Sequence, residues 1–357
     1  MNYQTTPYDL DFKFNAGTSR GILRQKRSWF LQLQKEGKKG VGECGILKGL
    51  SIENFDNFDQ NINSVLRNYV SDNQVFDEIA LDELPSLKFG LEMATKDLEL
   101  NGDGILFNHS FVKGEKSIPI NGLVWMGEYQ FMFNQIKEKI DSGYSCIKIK
   151  IGAIDFDKEL SLLKYIRSEF KQNEIEIRVD ANGAFLPENA LEKLKMLSSY
   201  NLHSIEQPIK QGQWNEMAIL CDSSPLPIAL DEELIGVTGI SKKKQLLDTI
   251  SPQYIILKPS LLGGYASSEE WIRLVDNHQI GYWITSALES NIGLSAIAQW
   301  TYDLIFSNKG KNSNQIPQGL GTGQLYHNNF EGPLYIKSGA LHFDPEVPVY
   351  KNFKLFR

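Results

Sequence analysis

From about residue 117 onward, the chain alternates short apolar runs with helical patterns, and this alternation limits its possible folds more than any other feature. Helical patterns such as residues 156–170 and 264–278 separate one run from the next. Strands that alternate with helices form βαβ units around a parallel sheet. The eight apolar runs cover residues 118–124, 146–151, 175–179, 204–205, 227–230, 254–257, 282–284 and about 315–320.

Eight βα units in about 200 residues match the size of a closed barrel. A doubly wound open sheet is the alternative, because periodicity alone does not separate the two. Residues 1–50 predict strands and turns, whereas residues 60–102 predict helices. We therefore expect an α/β protein with an α+β domain at 1–115, a (β/α) barrel at 116–324, and a C-terminal segment, 325–357, that returns to the first domain.

The charge balance argues against nucleic acid as a partner. Asp and Glu outnumber Lys and Arg by 44 to 37, a net charge of −7 at pH 7, whereas phosphate binding needs a clustered basic face. Three separated cysteines predict neither a disulfide framework nor a zinc ribbon. The first residues lack a signal-peptide pattern, and no apolar stretch reaches the roughly 18 residues of a membrane span. We expect a cytoplasmic protein that binds neither nucleic acid nor membrane.

Charged residues stand at the ends of consecutive apolar runs. The carboxyl ends of parallel barrel strands meet at one rim, where the active sites of this fold are built. The positions follow one another at intervals of 25 to 32 residues, which is one βα unit each. We therefore expect their three carboxylates and three amines to face one mouth. The positions are Lys148 with Lys150, Asp180, Glu206, Asp231 and Lys258.

Each of these residues alone has an ordinary explanation, since an Asp at a strand end is often the N-cap of the next helix. The series is more informative. Neighbouring carboxylates repel one another unless a cation lies between them, and all-oxygen ligands suit Mg²⁺. Lys148 and Lys150 share one face of a strand, and two close ammonium groups beside a divalent ion lose a proton more readily. This combination predicts that a lysine removes a proton next to a carboxylate.

Five short motifs follow one another in a fixed order: Lys148-x-Lys150, Asp180-x-Asn182, Glu206-Gln-Pro, Asp231-Glu and Lys258-Pro. In this order and spacing they resemble the muconate-lactonising-enzyme subgroup of the enolase superfamily. Within that subgroup the chain is similar to the o-succinylbenzoate synthases, at residues 17–21, 42–44, 286–293 and 319–323. The resemblance implies a modified TIM barrel with an N-terminal capping domain, and a dehydration reaction in menaquinone biosynthesis.

The resemblance also implies a role for each motif residue. Lys150 would remove the α-proton of a cyclohexadiene carboxylate and return it to the leaving hydroxyl group, in a syn elimination. Lys258 would stabilise the enediolate from the other face. Lys148 would support the carboxylate and keep Lys150 neutral. The ligands implied for Mg²⁺, or for Mn²⁺ as a substitute, are Asp180, Glu206 and Asp231.

The substrate contacts are less strongly indicated. Arg20 lies in the segment 17–21, whose small residues suit either a mobile lid or an ordinary hairpin turn, and a closed lid would bring it to a second substrate carboxylate. Glu232 is expected to point away from the site. The related epimerases carry an Asp-x-Asp pair at the last strand. This pair is missing here, and the uncharged rim suits an anionic substrate without an amine. The further candidates are Ser286, Asn291, Gly321 and Thr322 as substrate contacts, and Asn182 and Glu289 as supporting residues.

Two other functions stay open. Lys150 and Lys258 could serve as two bases on opposite faces of an N-acylamino acid or a dipeptide, as in a racemase or an epimerase. The other rival is a barrel that binds a ligand without chemistry, and loss of a metal ligand or a base would mark it. All five motif positions are intact here. A small-molecule carboxylate is the expected ligand both for the dehydration and for the racemase or epimerase reaction. A homo-oligomer is left open.

Overall fold

The structure is a computed structural model that describes residues 1–18, 21–71, 81–307 and 315–356. It begins with an antiparallel sheet of three strands in sequential order, β1 (Asn2–Thr18), β2 (Gly21–Lys35) and β3 (Lys38–Gly45). The alternation of apolar residues predicted strands here, and the buried Leu10 and Phe12 on β1 follow that period of two. The segment considered as a lid, 17–21, includes the end of β1 and the start of β2, and its residues 19 and 20 lie outside the described residues.

Two helices, α1 (Phe58–Ser71) and α2 (Pro85–Glu99), pack on this sheet. Pro85 stands in the first turn of α2, where its missing N–H is not needed. The helix lies very close to β3 because glycines face each other at Gly42 and Gly90, and a Cβ atom on Gly42 would overlap the Gly90 carbonyl oxygen. The sheet and its helices therefore form a two-layer α+β unit with its own apolar core.

The second part of the chain alternates strands with helices, as the sequence predicts. Its strands are β4 (Ile118–Pro119), β5 (Gly122–Val124), β6 (Cys146–Lys150), β7 (Glu176–Asp180), β8 (Ser204–Glu206), β9 (Ile228–Leu230), β10 (Tyr254–Leu257), β11 (Gly281–Ile284), β12 (Leu334–Lys337) and β13 (Ala340–Phe343). Its helices are α3 (Tyr129–Asp141), α4 (Phe156–Glu169), α5 (Pro187–Ser198), α6 (Trp214–Ser223), α7 (Ile240–Ile250), α8 (Pro259–Leu262), α9 (Gly264–His278) and α10 (Asn291–Thr301).

Strands β5 to β11 form one parallel sheet in sequential order, curled into a barrel. The eighth predicted run, 315–320, forms no regular strand among the described residues. Instead, Gln318 forms a parallel β-bridge with Ile120, just before β5, and Gly319 forms one with Thr285, just after β11. These two residues join the two edges of the barrel sheet. The predicted α/β barrel with an N-terminal α+β domain is confirmed, and the open-sheet alternative is wrong.

The first predicted run, 118–124, is a second difference from expectation. It divides into β4 and β5, which belong to different sheets. Strand β4 pairs with β13, which pairs with β12 in an antiparallel three-stranded sheet, whereas β5 pairs with β6 in the barrel. The chain passes from one sheet to the other between the two strands, and a continuous apolar run gives no sign of such a change.

The C-terminal segment contacts the N-terminal sheet. The N–H of Lys13 donates to the Leu325 carbonyl oxygen over 2.9 Å, and the N–H of His327 donates to the Asp11 carbonyl oxygen over the same distance. Near the hairpin tip, Gly17 bridges to Met126, which follows β5. These contacts hold the β1–β2 hairpin at the rim where the barrel strands end.

A buried carboxylate connects β3 to the barrel. Glu43 is fully buried and accepts hydrogen bonds from the Ser290 N–H (3.0 Å), the Ser290 hydroxyl (2.5 Å) and the Gly293 N–H (3.0 Å). These donors lie at the N-terminus of α10, where a helix favours negative charge. The N-terminal unit is therefore fixed to the loop that follows β11. Among the described helices, none is long and apolar enough to cross a membrane.

A second carboxylate connects α2 to the N-terminus of α9. Glu92 accepts hydrogen bonds from the N–H groups of Tyr265 and Ala266. Burial raises the pKa of Glu92 to about 7, although the two N–H donors favour the ionised form. The folded protein therefore holds a proton on this side chain that the unfolded chain, with a pKa of 4.5, has already released.

This difference gives a pH-dependent stability. Because the folded state binds more protons between about pH 4.5 and pH 7, the free energy of unfolding must fall as the pH rises through this range. Replacing the carboxyl by an amide in Glu92→Gln removes the effect. We expect urea unfolding to show that, between pH 5 and pH 8, the free energy of unfolding of the parent falls by about 2–3 kcal/mol more than that of this variant. Glu99→Gln, on the exposed end of the same helix, should keep the parental slope; an equal slope in all three proteins would refute the prediction.

Candidate active site

The predicted strand-end residues lie side by side at one rim of the barrel. In the sheet register Lys150 is opposite Asp180, and Asp180 is opposite Glu206. Asp231 follows β9 directly, and Lys258 follows β10 directly. Parallel strands bring equivalent positions together in this way because each βα unit returns the chain to the same end of the sheet. The common rim was predicted from spacing alone.

The amines and carboxylates form a network of ion pairs in two parts: Lys148 and Lys150 pair with Asp180 and Glu206, and Lys258 pairs with Asp231. The Lys148 Nζ lies 2.9 Å from the Asp180 Oδ2 and 2.5 Å from the Glu206 Oε2. The Lys150 Nζ lies 3.1 Å from the same Asp180 oxygen. The Lys258 ammonium pairs with the Asp231 carboxylate. Three positive and three negative groups are thus held together with very little exposure to water.

The carboxylates of this network differ in their electrostatic surroundings. Burial works against ionisation of Asp180, but the three lysines around it hold its pKa far below the usual range. Glu206 is different: burial and the neighbouring Asp180 charge raise its pKa well above the usual value, and Lys148 only partly opposes this. Two carboxylates on adjacent strands therefore compete for the same positive charge.

The expectation that two close ammonium groups beside a divalent ion lose a proton more readily stays a prediction, since carboxylates surround Lys148 here. Burial alone would lower the pKa of Lys148, but the charges of Asp180, Glu206 and Asp231 outweigh it, and the pKa is raised. The pKa of Lys258 is raised for the same reason, with Asp231 as its main partner. The expectation applied to lysines beside a divalent ion, whereas here carboxylates are the nearest charges.

The carboxylates have the chemistry of a hard-cation site. Asp180, Glu206 and Asp231 supply only oxygen donors, the type that Mg²⁺ prefers. Both oxygens of Glu206 are buried, and neither accepts a hydrogen bond of good geometry from the described residues, although Lys148 lies beside one of them. No three acidic, His or Cys side chains within the described ranges stand at metal-ligand distances, since the Lys148 ammonium lies between Asp180 and Glu206. The residues fit a divalent cation that takes the place of this ammonium.

The network borders a cavity of about 1060 Å³, including its solvent-open mouth. The barrel contributes one wall, and the loops of the N-terminal unit contribute the other. Eight of the predicted site residues border the cavity together: Lys148, Lys150, Asp180, Asn182, Lys258, Ser286, Gly321 and Thr322. The remaining lining residues are Gly21, Ile22, Leu23, Leu47, Lys48, Leu50, Asn121, Leu123, Trp125, Glu232, Thr285, Ala287, Leu288 and Gly319.

Five predicted residues are not part of the described lining, and two of them, Glu206 and Asp231, form ion pairs with lysines that do line it. Asn291 begins α10, and its amide donates to the Phe330 carbonyl oxygen over 2.6 Å, so it joins the C-terminal segment instead of the site. Glu289 is fully buried and accepts hydrogen bonds from the Ser260 hydroxyl and the Ala287 N–H. It supports the loops after β10 and β11 from behind. Arg20 lies outside the described residues.

The prediction for Glu232 is wrong. This side chain was expected to point away from the site, yet it borders the cavity and accepts a hydrogen bond from the Asn182 amide over 3.0 Å. The Asn182 oxygen in turn accepts from the Lys150 Nζ over 2.7 Å. A one-turn helix at Glu232–Leu234 replaces the extended chain after Asp231, which breaks the alternation on which the expectation depended.

Sequence reasoning also missed a residue that positions Asp231. The Gln207 side-chain oxygen accepts hydrogen bonds from the N–H groups of Asp231 (3.1 Å) and Glu233 (3.2 Å). Its amide nitrogen donates to the Ile209 carbonyl oxygen and to the Glu233 carboxylate. The completely buried amide thus fixes the start of the loop after β9. Its place directly after Glu206 was the one available signal.

The backbone is unusual at the same rim. Asn182, Gln207 and Leu288 follow three different strands, and their φ angles are 43°, 40° and 64°. Residues other than glycine seldom adopt this left-handed conformation, and strain of this kind concentrates at functional sites. The rim is therefore shaped by its loops as well as by the strands beneath it.

Two family models match the chain. Residues 132–347 match the enolase C-terminal domain-like family, and residues 7–98 match the MenC N-terminal domain. The first match covers the barrel from within α3 onward, with the carboxylates and lysines described above. The second covers the three-stranded sheet with α1 and α2.

Individual relatives agree with these matches. An o-succinylbenzoate synthase of Desulfotalea psychrophila is 48% identical over 93% of this chain and 96% of that protein. The crystal structure of MenC from the same organism has a TM-score of 0.80 and 43% identity, and covers 96% of this chain and 99% of that one. The L-Ala-D/L-Glu epimerase of Bacillus subtilis, at 16% identity, has a TM-score of 0.79 and covers 98% of this chain and 97% of its own, which shows a shared fold.

The role of Gln207 can be tested by removing its polar groups. Gln207→Met keeps the length of the side chain but leaves the buried N–H groups of Asp231 and Glu233 without their acceptor. We expect the free energy of unfolding to fall by about 2–4 kcal/mol, measured by urea denaturation. Gln130→Met, at an exposed position of α3, should change it by less than about 0.5 kcal/mol. Equal stability of the two variants would contradict the positioning role.

Proposed function

The chain belongs to the enolase superfamily and, within it, to the o-succinylbenzoate synthases, and we propose that its strand-end lysines and carboxylates carry out the reaction of that family. Its function is to remove water from 2-succinyl-6-hydroxy-2,4-cyclohexadiene-1-carboxylate, which gives o-succinylbenzoate in menaquinone biosynthesis. The observation that supports the assignment of the site is that three lysines and three carboxylates from consecutive strands form ion pairs at one rim of the barrel, beside the cavity.

Lys150 is the base in this proposal. Its Nζ is held by the Asn182 oxygen over 2.7 Å and lies 5.9 Å from the centre of the Trp125 ring, at the cavity surface. The amine takes the proton from the ring carbon that carries the carboxylate. The electron pair of that C–H bond passes onto the carboxylate, which becomes an enediolate, and it returns to the ring when the C–O bond to the hydroxyl group breaks. The same Lys150 then returns its proton to the departing oxygen, so that water leaves and the ring becomes aromatic.

The other two lysines bind negative charge in this scheme. Lys258 ends a strand on the opposite side of the barrel and also borders the cavity, so its ammonium can stabilise the enediolate from the face opposite Lys150. Lys148 lies between Asp180 and Glu206 and borders the cavity, where it can hold the substrate carboxylate in place. Asn182 orients Lys150 and is itself held by Glu232.

Asp180, Glu206 and Asp231 would hold Mg²⁺, or Mn²⁺ in its place. When bound there, the cation supplies the positive charge that allows a carboxylate to accept a second negative charge. The chain itself must then move the Lys148 ammonium away from Glu206, and the buried, poorly satisfied oxygens of Glu206 favour this exchange. The cytoplasmic location expected from the sequence stays a prediction.

A racemase or epimerase is the second candidate function. One observation favours it: Lys150 and Lys258, the two bases such an enzyme needs, both border the same cavity. An elimination needs only one lysine to move the proton. The two candidates therefore differ in their products, since one forms an aromatic ring and water and the other inverts a carbon centre.

The reaction can be followed by ultraviolet absorption of the aromatic product. With Mg²⁺ and the cyclohexadiene carboxylate, the parent should form o-succinylbenzoate, and Lys150→Ala should lower kcat/KM by about 10²- to 10⁴-fold because the base is lost. Lys164→Ala, an exposed lysine on α4, is the matched control and should behave as the parent. Treatment with EDTA should stop turnover, and Mg²⁺ or Mn²⁺ should restore it. Near-parental elimination by Lys150→Ala would contradict the base assignment, and racemisation of an N-succinylamino acid without any aromatic product would favour the second function.

A further inference from the structure

The lysines that border the cavity fall into two groups. Lys148, Lys150 and Lys258 end barrel strands and form ion pairs with Asp180, Glu206 and Asp231. The fourth, Lys48, comes from the loop after β3 in the N-terminal unit. No carboxylate among the described residues forms an ion pair with it. This difference matters because the cavity must accept a substrate with two negative charges.

The loop that carries Lys48 is a tight turn. The Leu47 N–H donates to the Ser51 hydroxyl, and the N–H groups of Leu50 and Ser51 both donate to the Leu47 carbonyl oxygen, each over 2.9 Å. Gly49 allows the turn with a φ of 81°, a conformation that other residues seldom adopt. The backbone at Lys48 is therefore held in place by its neighbours.

The ammonium of Lys48 is held as well. It lies 5.5 Å from the centre of the Phe55 ring, and this ring packs edge-on against the buried Trp29 at 5.4 Å. Apart from this ring contact, no described residue accepts a hydrogen bond from the ammonium, so N–H donors remain for a ligand. Lys48 is thus a positioned cation at the cavity wall, with hydrogen-bonding capacity to spare.

The three hydroxyl groups that border the cavity are poorly suited to a second carboxylate. The Ser286 and Thr322 hydroxyls bond to each other over 2.6 Å, and Ser286 also donates to the Gly319 carbonyl oxygen, so both hydroxyl protons are already used. The Thr285 hydroxyl donates to that same oxygen over 2.8 Å. The N-terminal unit contributes apolar side chains to the same cavity, such as Ile22 at the start of β2 and Leu50 in the loop that carries Lys48.

We infer that Lys48 binds the distal carboxylate of the succinyl arm and so selects a dianionic substrate. This inference rests on the proposed function. The ring carboxylate must face the strand ends, where Lys150 can reach the adjacent proton. The arm, which carries its carboxylate beyond a ketone and two methylene groups, then extends toward the N-terminal loops. There the apolar side chains can pack on the methylene groups while Lys48 pairs with the terminal charge.

Calorimetric binding of the product and of its distal amide tests this inference. The parent should bind o-succinylbenzoate about tenfold more tightly than the amide, since a charge-assisted hydrogen bond is lost. In Lys48→Met this preference should disappear, with the affinity for the amide unchanged. Lys48→Arg should keep most of the preference because the charge remains. Lys39→Met, an exposed lysine on β3 outside the described lining, should equal the parent.

The outcomes separate the inference from the proposed function. If the parent turns over substrate and Lys48→Met still prefers the dianion about tenfold, Lys48 is not the binding residue and the inference fails alone. Loss of the preference in Arg20→Met but not in Lys48→Met would assign the role to Arg20. If the parent forms no o-succinylbenzoate at all, the proposed function fails, and the inference fails with it.

Discussion

The arrangement of the site depends on one constraint: three carboxylates are buried at the ends of adjacent strands and cannot remain there without positive charge between them. Asp180 is central, since one of its oxygens contacts both Lys148 and Lys150. Removing either partner of such a buried pair leaves an unbalanced charge, which is strongly unfavourable. The same balance that keeps this rim folded also gives it the groups needed to move a proton next to a carboxylate.

The N-terminal unit completes the site because the barrel alone supplies only one wall of the cavity. Glu43 fixes this unit to the start of α10, and the pairing of 11–13 with 325–327 fixes it from the other side. Both connections involve residues more than 200 positions apart in the chain. The start of β2 at Gly21 and the loop that carries Lys48 are thereby held over the strand ends. The N-terminal unit can therefore select the substrate, while the barrel supplies the groups that react with it.

The parts of this arrangement that follow a local period could be predicted from the sequence, and the rest could not. The spacing of Lys150, Asp180 and Glu206 identified the rim because each βα unit has nearly the same length. The division of 118–124 into two sheets, the one-turn helix that directs Glu232 to the cavity, and the bond from Asn291 to the Phe330 carbonyl all depend on long-range packing. Lys48 was missed for the same reason, since nothing near it in the sequence indicates a cavity.

Calorimetric titration with Mg²⁺ tests most directly whether these carboxylates form a cation site, since it needs no turnover. The parent should bind one Mg²⁺ per chain. Glu206→Gln should weaken that binding by at least about 100-fold, because even the outer partners of metal ligands contribute about 10- to 100-fold. Glu188→Gln, at the exposed start of α5, should bind as the parent does. Parental affinity in Glu206→Gln, or no binding by the parent, would contradict the cation site.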